Sequence, residues 1–141
     1  MTALWLVVGM LAGAPADGAL RVADEPRRVC VDAPRALFRI QNLGEAPVLV
    51  ALRIERWSGG DDAEDWTTIQ QDVTQRDATT EKTRSVKLEA RGRRDVFWVL
   101  KGRKGPAVAT GRHRLVASST DLDGRPSSQV FHEFFITDCS L

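Results

Sequence analysis

The side chains with the greatest potential for chemistry are two histidines and two serines in the last third of the chain. His113 and His132 are the only histidines, and Ser118 and Ser119 follow His113 on one extended segment. If this segment forms a hairpin with the next one around residues 123–124, the histidines lie on neighbouring strands, about two to three residues out of register and roughly 7 to 10 Å apart. A serine nucleophile needs a histidine base and an orienting carboxylate, and the G-x-S-x-G elbow is absent from the sequence. We therefore predict structural histidines and no catalytic residue.

Two groups of acidic residues raise the question of a metal or glycosidase site. Asp121 and Asp123 precede Gly124 as in a fragment of a calcium loop, but the bidentate carboxylate that such a loop needs is missing, since position 130 is valine. A hairpin turn explains the same residues. The acidic residues at 61–65 lie on a glycine-rich loop, which cannot hold two carboxylates at the fixed separation that glycoside hydrolysis requires. We expect neither a metal nor a cofactor.

The two cysteines lie far apart in the sequence. Cys30 and Cys139 are near the beginning and the end of the chain, which suits one disulfide in an oxidising compartment. A redox or metal pair would need a C-x-x-C motif or nearby histidines, and neither is present. A bond between the two would close a loop of about 110 residues and stabilise the fold by roughly 4 to 5 kcal/mol in the chain-entropy model. Free thiols are the alternative.

Hydrophobic alternation places these residues on β-strands. Val48, Val50, Leu52 and Ile54 alternate after a turn at residues 42–47, so the hairpin of strands Ala36–Asn42 and Val48–Trp57 is the plainest element. The other predicted strands lie between turn or loop segments: Val29–Val31, Trp66–Gln71, Arg84–Ala90, Asp95–Leu100, Arg112–Thr120 and Gln129–Thr137. No segment after the first sixteen residues carries a sustained helical stripe. An all-β fold of about eight antiparallel strands follows.

The first sixteen residues carry no charged side chain and contain an apolar run of about a dozen residues. That run is too short to span a bilayer and ends in Ala14-Pro15-Ala16, the kind of small-residue site that signal peptidase cleaves. We predict a signal peptide over residues 1–16 and one domain over residues 17–141, secreted or periplasmic and without a membrane span after cleavage. A buried first strand is the alternative.

Composition limits the classes of partner. The 141 residues are 43% hydrophobic, which is enough for one sizeable core. Twenty basic residues against nineteen acidic ones give a net charge of +1. Since binding to nucleic acid or to an anionic membrane depends on an excess of positive charge, nucleic acid is disfavoured as a partner.

A set of short motifs carries a resemblance to a known superfamily. An N-x-G turn at residues 42–44 is followed by Pro47, then by V-x-L-x-A-x-G at 86–92 and by G-x-H-x-L-V-A at 111–117 before a D-x-D-G turn. In this order they resemble secreted bacterial immunoglobulin-like sandwiches, including the CARDB-type adhesion modules and, more faintly, the first domain of periplasmic pilus chaperones. The resemblance covers about Val29 to Asp138 and implies two packed sheets with Greek-key connections. The sequence has no identifiable positively charged anchoring pair, so the chaperone function is not implied.

Three predicted strands carry large apolar residues on both faces, whereas a sandwich strand needs only one apolar face. The surplus side chains form a candidate partner surface: Leu49, Phe97, Trp98, Phe131 and Phe135. The long connection at residues 72–83 is the alternative cover for this surface, and close packing of a central strand with aromatic side chains at the sheet ends is the alternative explanation. The sequence thus predicts a non-catalytic interaction module with a protein partner, acting in adhesion, assembly or an extracellular complex, and leaves the oligomeric state open. A small secreted protease inhibitor that uses the loops at 58–65 and 101–111 is the second hypothesis, and an enzyme of unknown type is the third.

Overall fold

A computed structural model describes residues 20–59, 65–71, 73, 85–101 and 108–140. Within these ranges the chain forms β-strands and no α-helix, and none of it makes a helix long and apolar enough to cross a bilayer. The nine strands, in chain order, are β1 (Leu20–Val22), β2 (Arg28–Cys30), β3 (Arg35–Asn42), β4 (Val48–Trp57), β5 (Trp66–Gln71), β6 (Val86–Leu88), β7 (Arg93–Val99), β8 (Gly111–Thr120) and β9 (Pro126–Thr137). The predicted signal peptide lies outside the described residues.

The strands form two sheets packed face to face. Sheet A has the order β1-β3-β7, and sheet B has the order β2-β9-β8-β4-β5, with β6 also paired to β4. Alternation of apolar and polar side chains along each long strand turns one face of each sheet inward. The fully buried apolar side chains include Phe38, Ile40, Val50, Ile54, Leu115, Ala117, Phe134 and Ile136. The all-β two-sheet sandwich predicted from the sequence is confirmed.

The count and direction of the strands differ from the prediction at the start of the fold. Strand β1 was not expected, and β2 runs parallel to β9, with Val29 opposite Ile136. The polar residues 23–27 carry the chain from sheet A to sheet B, and β2 then lies alongside β9 in the same direction. Strands β1 and β2 have three residues each, and each strand has one buried side chain, Leu20 and Val29 respectively. Segments this short show no alternation, so the sequence could not reveal β1 or the direction of β2.

Trp98 corrects the predicted partner surface. Its side chain is only 1% exposed and packs in the core, with ring centroids 6.5 Å from Phe134 and 6.3 Å from His113. The pleat of β7 turns Val96 and Trp98 inward and leaves Phe97 facing outward. Because adjacent residues on β7 are both large and aromatic, the sequence could not show which of them faces the core.

The buried amide of Asn42 connects two turns. Its Nδ2 group donates to the carbonyl oxygens of Ala46 (2.8 Å) and Glu89 (3.1 Å), and its Oδ1 accepts from the amide of Gly44 (2.9 Å). The turn between β3 and β4 is therefore fastened to the turn between β6 and β7. Since Asn42 is 1% exposed, these bonds satisfy polar groups that water cannot reach.

Cys30 and Cys139 are joined by a disulfide, with an S–S distance of 2.04 Å and a Cα–Cα distance of 5.5 Å. The bond attaches β2, at the edge of sheet B, to the segment that follows β9. The amide of Val31 also donates to the carbonyl oxygen of Thr137 (2.8 Å). Both connections hold the two distant parts of the chain together.

Candidate interaction surface

One edge of strand β9 is unpaired along most of its length within the part of the chain that the structure describes. On one side β9 pairs with β8 throughout, but on the other β2 covers only Phe135–Thr137. No strand of the described chain pairs with residues 126–134 on that side, although β1 of sheet A comes close to β9. The amide of Phe135 donates to the carbonyl oxygen of Arg27 across this edge (2.9 Å). Because peptide orientation alternates along a strand, the backbone groups of Gln129, Phe131 and Glu133 point the same way, and they pair with no strand among the described residues.

The outward side chains of β9 line the face next to this edge. Phe131 and Phe135 are 50% and 49% exposed and flank the carboxylate of Glu133. Leu49 lies on the same outer face, on β4, and is half-buried. Three of the five residues that the sequence singled out for partner binding therefore share the outer face of sheet B.

Two arginines on β8 interleave with aromatic rings on this face. The guanidinium carbon of Arg114 lies 4.2 Å from the ring centroid of Trp66 and 4.4 Å from that of Phe131. The guanidinium carbon of Arg112 lies 4.8 Å from the Trp57 ring and 5.4 Å from the Trp66 ring. Such cation–π contacts hold long side chains in fixed positions and cover apolar surface. We call these two arginines and three aromatic residues the arginine–aromatic ladder.

Two carboxylates hold the arginines in place. Glu55 accepts hydrogen bonds from the Nε groups of Arg114 (2.7 Å) and Arg53 (2.8 Å), and Glu133 accepts two from Arg112 (3.0 and 3.2 Å). Burial of Glu55 opposes ionisation, but the hydrogen bonds and charges of the two arginines outweigh it and lower the pKa of this carboxyl. The side chains on this face are thus fixed before any partner arrives.

The ladder also explains why one outward-facing residue is inaccessible. Val116 points away from the core on β8, directly opposite Phe131 on β9 and Arg53 on β4, yet it is fully buried. Its burial shows that the neighbouring side chains close over the sheet. In the sequence, only the alternation of Arg112 and Arg114 on one strand points to this arrangement. That alternation does not predict the contacts with Trp57 and Trp66 until the register of β8 with β4 and of β4 with β5 is known.

Phe97 faces the opposite side of the molecule. It lies half-buried on the outer face of sheet A, where the guanidinium carbon of Arg35 lies 5.0 Å from its ring centroid. Leu37, directly opposite on β3, is 49% exposed. The apolar surplus predicted from the sequence is therefore divided between two faces and does not form one surface.

The two histidines lie on the inner face of sheet B, on either side of Phe134. His113 pairs with Phe134 and His132 pairs with Leu115, so the histidines are two residues out of register, as predicted. Their ring centroids lie 5.8 and 6.3 Å from that of Phe134. His113 Nδ1 donates to the carbonyl oxygen of Gly111 (2.9 Å), and burial lowers the pKa of this imidazole. Both rings act as core aromatic side chains.

The acidic pair before Gly124 forms a turn, as predicted. Asp121 Oδ1 accepts from the amides of Asp123 (2.8 Å) and Arg125 (3.0 Å), and Gly124 adopts a φ of 90°, which glycine tolerates without strain. The hydrogen bond from the Arg125 amide is the main reason that the pKa of Asp121 lies below its usual value. Hydrogen bonds within the hairpin turn therefore explain the position of the Asp121 carboxylate.

Comparisons with known proteins identify the fold. No family model and no curated protein matches the chain. Among solved structures, the chain is similar to the YadV chaperone (TM-score 0.56, 10% identity, 87% of this chain and 53% of that one). It is also similar to the E. coli chaperone DraB (0.57, 9%, 86% and 55%). A third similar structure is that of the Salmonella enterica SafA pilin in complex with the SafB chaperone (0.54, 10%, 86% and 55%).

These similarities define the class of fold. The chain is an immunoglobulin-like β-sandwich, and it spans about half the length of the chaperones YadV and DraB. At identities near 10% the likeness concerns the fold, and it does not single out the CARDB-type modules or any other particular family.

Proposed function

We propose that this protein is a non-catalytic, secreted or periplasmic interaction module that binds an extended segment of a partner protein along the open edge of β9. The observation that carries the proposal is the stretch 126–134, which pairs with β8 on one side and with no described strand on the other. An unpaired strand edge beside a rigid aromatic face is the arrangement that recognises peptides by adding a strand to a sheet.

The face beside the edge indicates what the added strand would carry. Its outward side chains would lie next to Phe131, Glu133 and Phe135 in turn, since cross-strand neighbours share a face. Apolar groups would pack beside the two half-exposed phenylalanines, and a basic or hydroxyl group would suit the position beside Glu133. The ladder keeps Phe131 in one position, which reduces the entropy lost on binding.

The structural neighbours support an assembly role as part of this proposal. One of them is the SafA pilin in complex with the SafB chaperone, which supports a protein partner for this chain. The disulfide and the predicted signal peptide support a secreted or periplasmic location. The protease-inhibitor hypothesis depends on loops that lie mostly outside the described residues, and no described contact favours it.

A pair of variants at one position tests the proposed binding mode. Gln129→Pro removes an edge-facing N–H while leaving the hydrogen bonds to β8, because proline is tolerated on an edge strand. Gln129→Ala removes the same side chain and keeps the N–H. The wild type and both variants are used to capture proteins from the periplasmic or extracellular fraction, and hydrogen exchange at residues 129, 131 and 133 is measured with the captured protein bound.

We expect the proline variant to lose at least tenfold in affinity for a captured protein and the alanine variant to stay within about twofold of the wild type. Amide exchange at the three edge positions should slow when the partner is bound. Equal binding by both variants, or protection confined to sheet A, would contradict strand addition at β9.

A further inference from the structure

We propose that the outer face of sheet A carries a binding site for a tetrahedral oxyanion, a phosphate or sulfate monoester, held by Arg21, Arg39 and Arg93. The site is on the opposite face of the sandwich from the ladder and does not depend on the function proposed above.

The pairing register brings the three arginines together. Arg21 on β1 lies opposite Gln41 on β3, which lies opposite Arg93 on β7, so the three form one row across the sheet. With neighbouring strands about 4.8 Å apart, the outer two α-carbons of the row are separated by about 10 Å. Arg39 projects from the same face of β3, two residues from Gln41. The guanidinium groups thus approach one small area from three strands.

The area they surround is a depression rather than a flat surface. A cavity of about 200 Å³ lies between Arg21, Arg39, Arg93 and the half-buried amide of Gln41. Ala23 forms part of the wall, and its methyl group leaves room beside the longer side chains. The Ala23 amide donates to the carbonyl oxygen of Arg39 (3.0 Å). The space suits one phosphate or sulfate group with the first atoms of its ester.

The charges around the depression are not balanced. Arg39 Nε donates to Asp95 (2.9 Å), whereas Arg21 and Arg93 make no ion pair with any described residue. The lining of the depression contains three arginines and no carboxylate, and of these arginines only Arg39 is paired within the described chain, whose full sequence has a total charge of +1. The hydrogen bond from Arg39, together with the charges of Arg39 and Arg93, also lowers the pKa of Asp95, which reflects the positive field at this position.

Guanidinium chemistry defines the class of ligand. Arginine forks match the oxygen spacing of phosphate and sulfate and form paired, charge-assisted hydrogen bonds to them. Three forks that approach from different strands suit a tetrahedral group, which presents oxygens in several directions, better than a planar carboxylate. The Gln41 amide adds a neutral donor at the centre of the row.

Calorimetric titration with phenyl phosphate and phenyl sulfate, at low and moderate salt, tests the site in the whole chain. The triple variant Arg21→Gln, Arg39→Gln, Arg93→Gln removes the cluster. The matched control Arg27→Gln, Arg56→Gln, Lys87→Gln removes the same charge from exposed positions elsewhere. A separate arm measures binding to vesicles of phosphatidylcholine with and without phosphatidic acid, which distinguishes a lipid phosphate from a free ester.

We expect saturable binding of the wild type to a soluble ester or to phosphatidic acid vesicles, a loss of at least tenfold in the triple variant, and a change within about twofold in the control. Asp95→Asn should bind about threefold more tightly, because it removes the carboxylate that is paired with Arg39. Circular dichroism verifies that each variant is folded. The proposal is overturned if no probe binds, if the triple variant binds like the wild type, or if the control weakens binding as much as the triple variant does.

Discussion

The Nε group of Arg114 donates a 2.7 Å hydrogen bond to Oε1 of Glu55, joining the central strands β8 and β4 on the outer face of sheet B. The Glu55 side chain is only 8% exposed, although it lies on a face that an ordinary sandwich leaves in water. This pair therefore behaves more like a buried ion pair than a surface one, and it determines where Arg114 presents its guanidinium to the aromatic rings.

Replacing Glu55 with glutamine should lower the free energy of unfolding by about 1 to 3 kcal/mol, because Arg53 and Arg114 would lose their charged acceptor. Urea denaturation measures the change. Glu133→Gln is the control, since the Glu133 side chain is 46% exposed and its ion pair with Arg112 should contribute less than about 1 kcal/mol. Equal losses of unfolding free energy in the two variants would contradict this prediction, because the buried carboxylate would then contribute no more than the exposed one.

Acidification should destabilise the fold through His113. Burial lowers the pKa of this imidazole in the folded state, so the unfolded chain binds a proton more readily. The stability that the neutral ring provides is complete above the ordinary histidine pKa and is lost as the pH falls toward the folded value, at up to about 1.4 kcal/mol per pH unit. Unfolding free energies between pH 7.5 and 5 should fall less steeply in His113→Leu. An unchanged slope in that variant would contradict this assignment.

The disulfide should account for a large part of the stability. Cys30 and Cys139 are 109 residues apart, and closing a loop of that length stabilises a fold by about 4 to 5 kcal/mol in the chain-entropy model. The double variant Cys30→Ser, Cys139→Ser should unfold at a correspondingly lower urea concentration. Wild type treated with a reductant should match it, and a difference of less than about 1 kcal/mol between oxidised and reduced protein would reject the prediction.

Substitution by alanine should mainly reduce stability at Trp98 and mainly reduce partner binding at Phe135. Trp98→Ala leaves a cavity in the core and should cost about 3 to 5 kcal/mol of stability. Phe135→Ala removes a half-exposed ring and should cost less than about 1 kcal/mol, while weakening the binding of a partner at the β9 edge. Thermal unfolding and a binding titration measure the two effects. A stable Trp98→Ala protein would be inconsistent with the observed packing.

Asn42 offers a test of the link between turns. Asn42→Ala removes the side-chain donor to the carbonyl oxygens of Ala46 and Glu89, of which Glu89 keeps its bond from the Gly92 amide (2.8 Å), and should reduce the unfolding free energy by about 1 to 3 kcal/mol. Amide exchange in both turns should accelerate in this variant. If only the turn at 42–47 is affected, the side chain does not couple the two.

The alternating strands were predictable, and the start of the fold was not. Strands β4 and β5 have the predicted bounds, because Val48–Trp57 alternates cleanly and its neighbours are strong turn residues. Strand β1 has three residues and one buried side chain, which is too little pattern to recognise. The parallel direction of β2 follows from its contact with β9, which no local property of residues 28–30 encodes.

The candidate surface was predictable only in part, for a related reason. Exposure of Phe131 and Phe135 follows from the pleat of β9, but adjacent apolar residues on β7 hid the fact that Trp98 is internal. The ladder joins residues from four strands, and the oxyanion site joins residues from three. Both depend on cross-strand register, which the sequence determines only through the complete fold.

The bridge between Cys30 and Cys139 also has a mechanical consequence. If a partner pulls on the chain from either side of the bridge, tension passes from residue 30 to residue 139 through the S–S bond. Strands β3 to β9 then lie outside the path of the force. Within the described chain before the bridge, only residues 20–30 can be drawn out, by about 35 Å at full extension. Under tension applied to the chain on both sides of the bridge, β3 to β9 would therefore stay intact while the short strands before the bridge yield first.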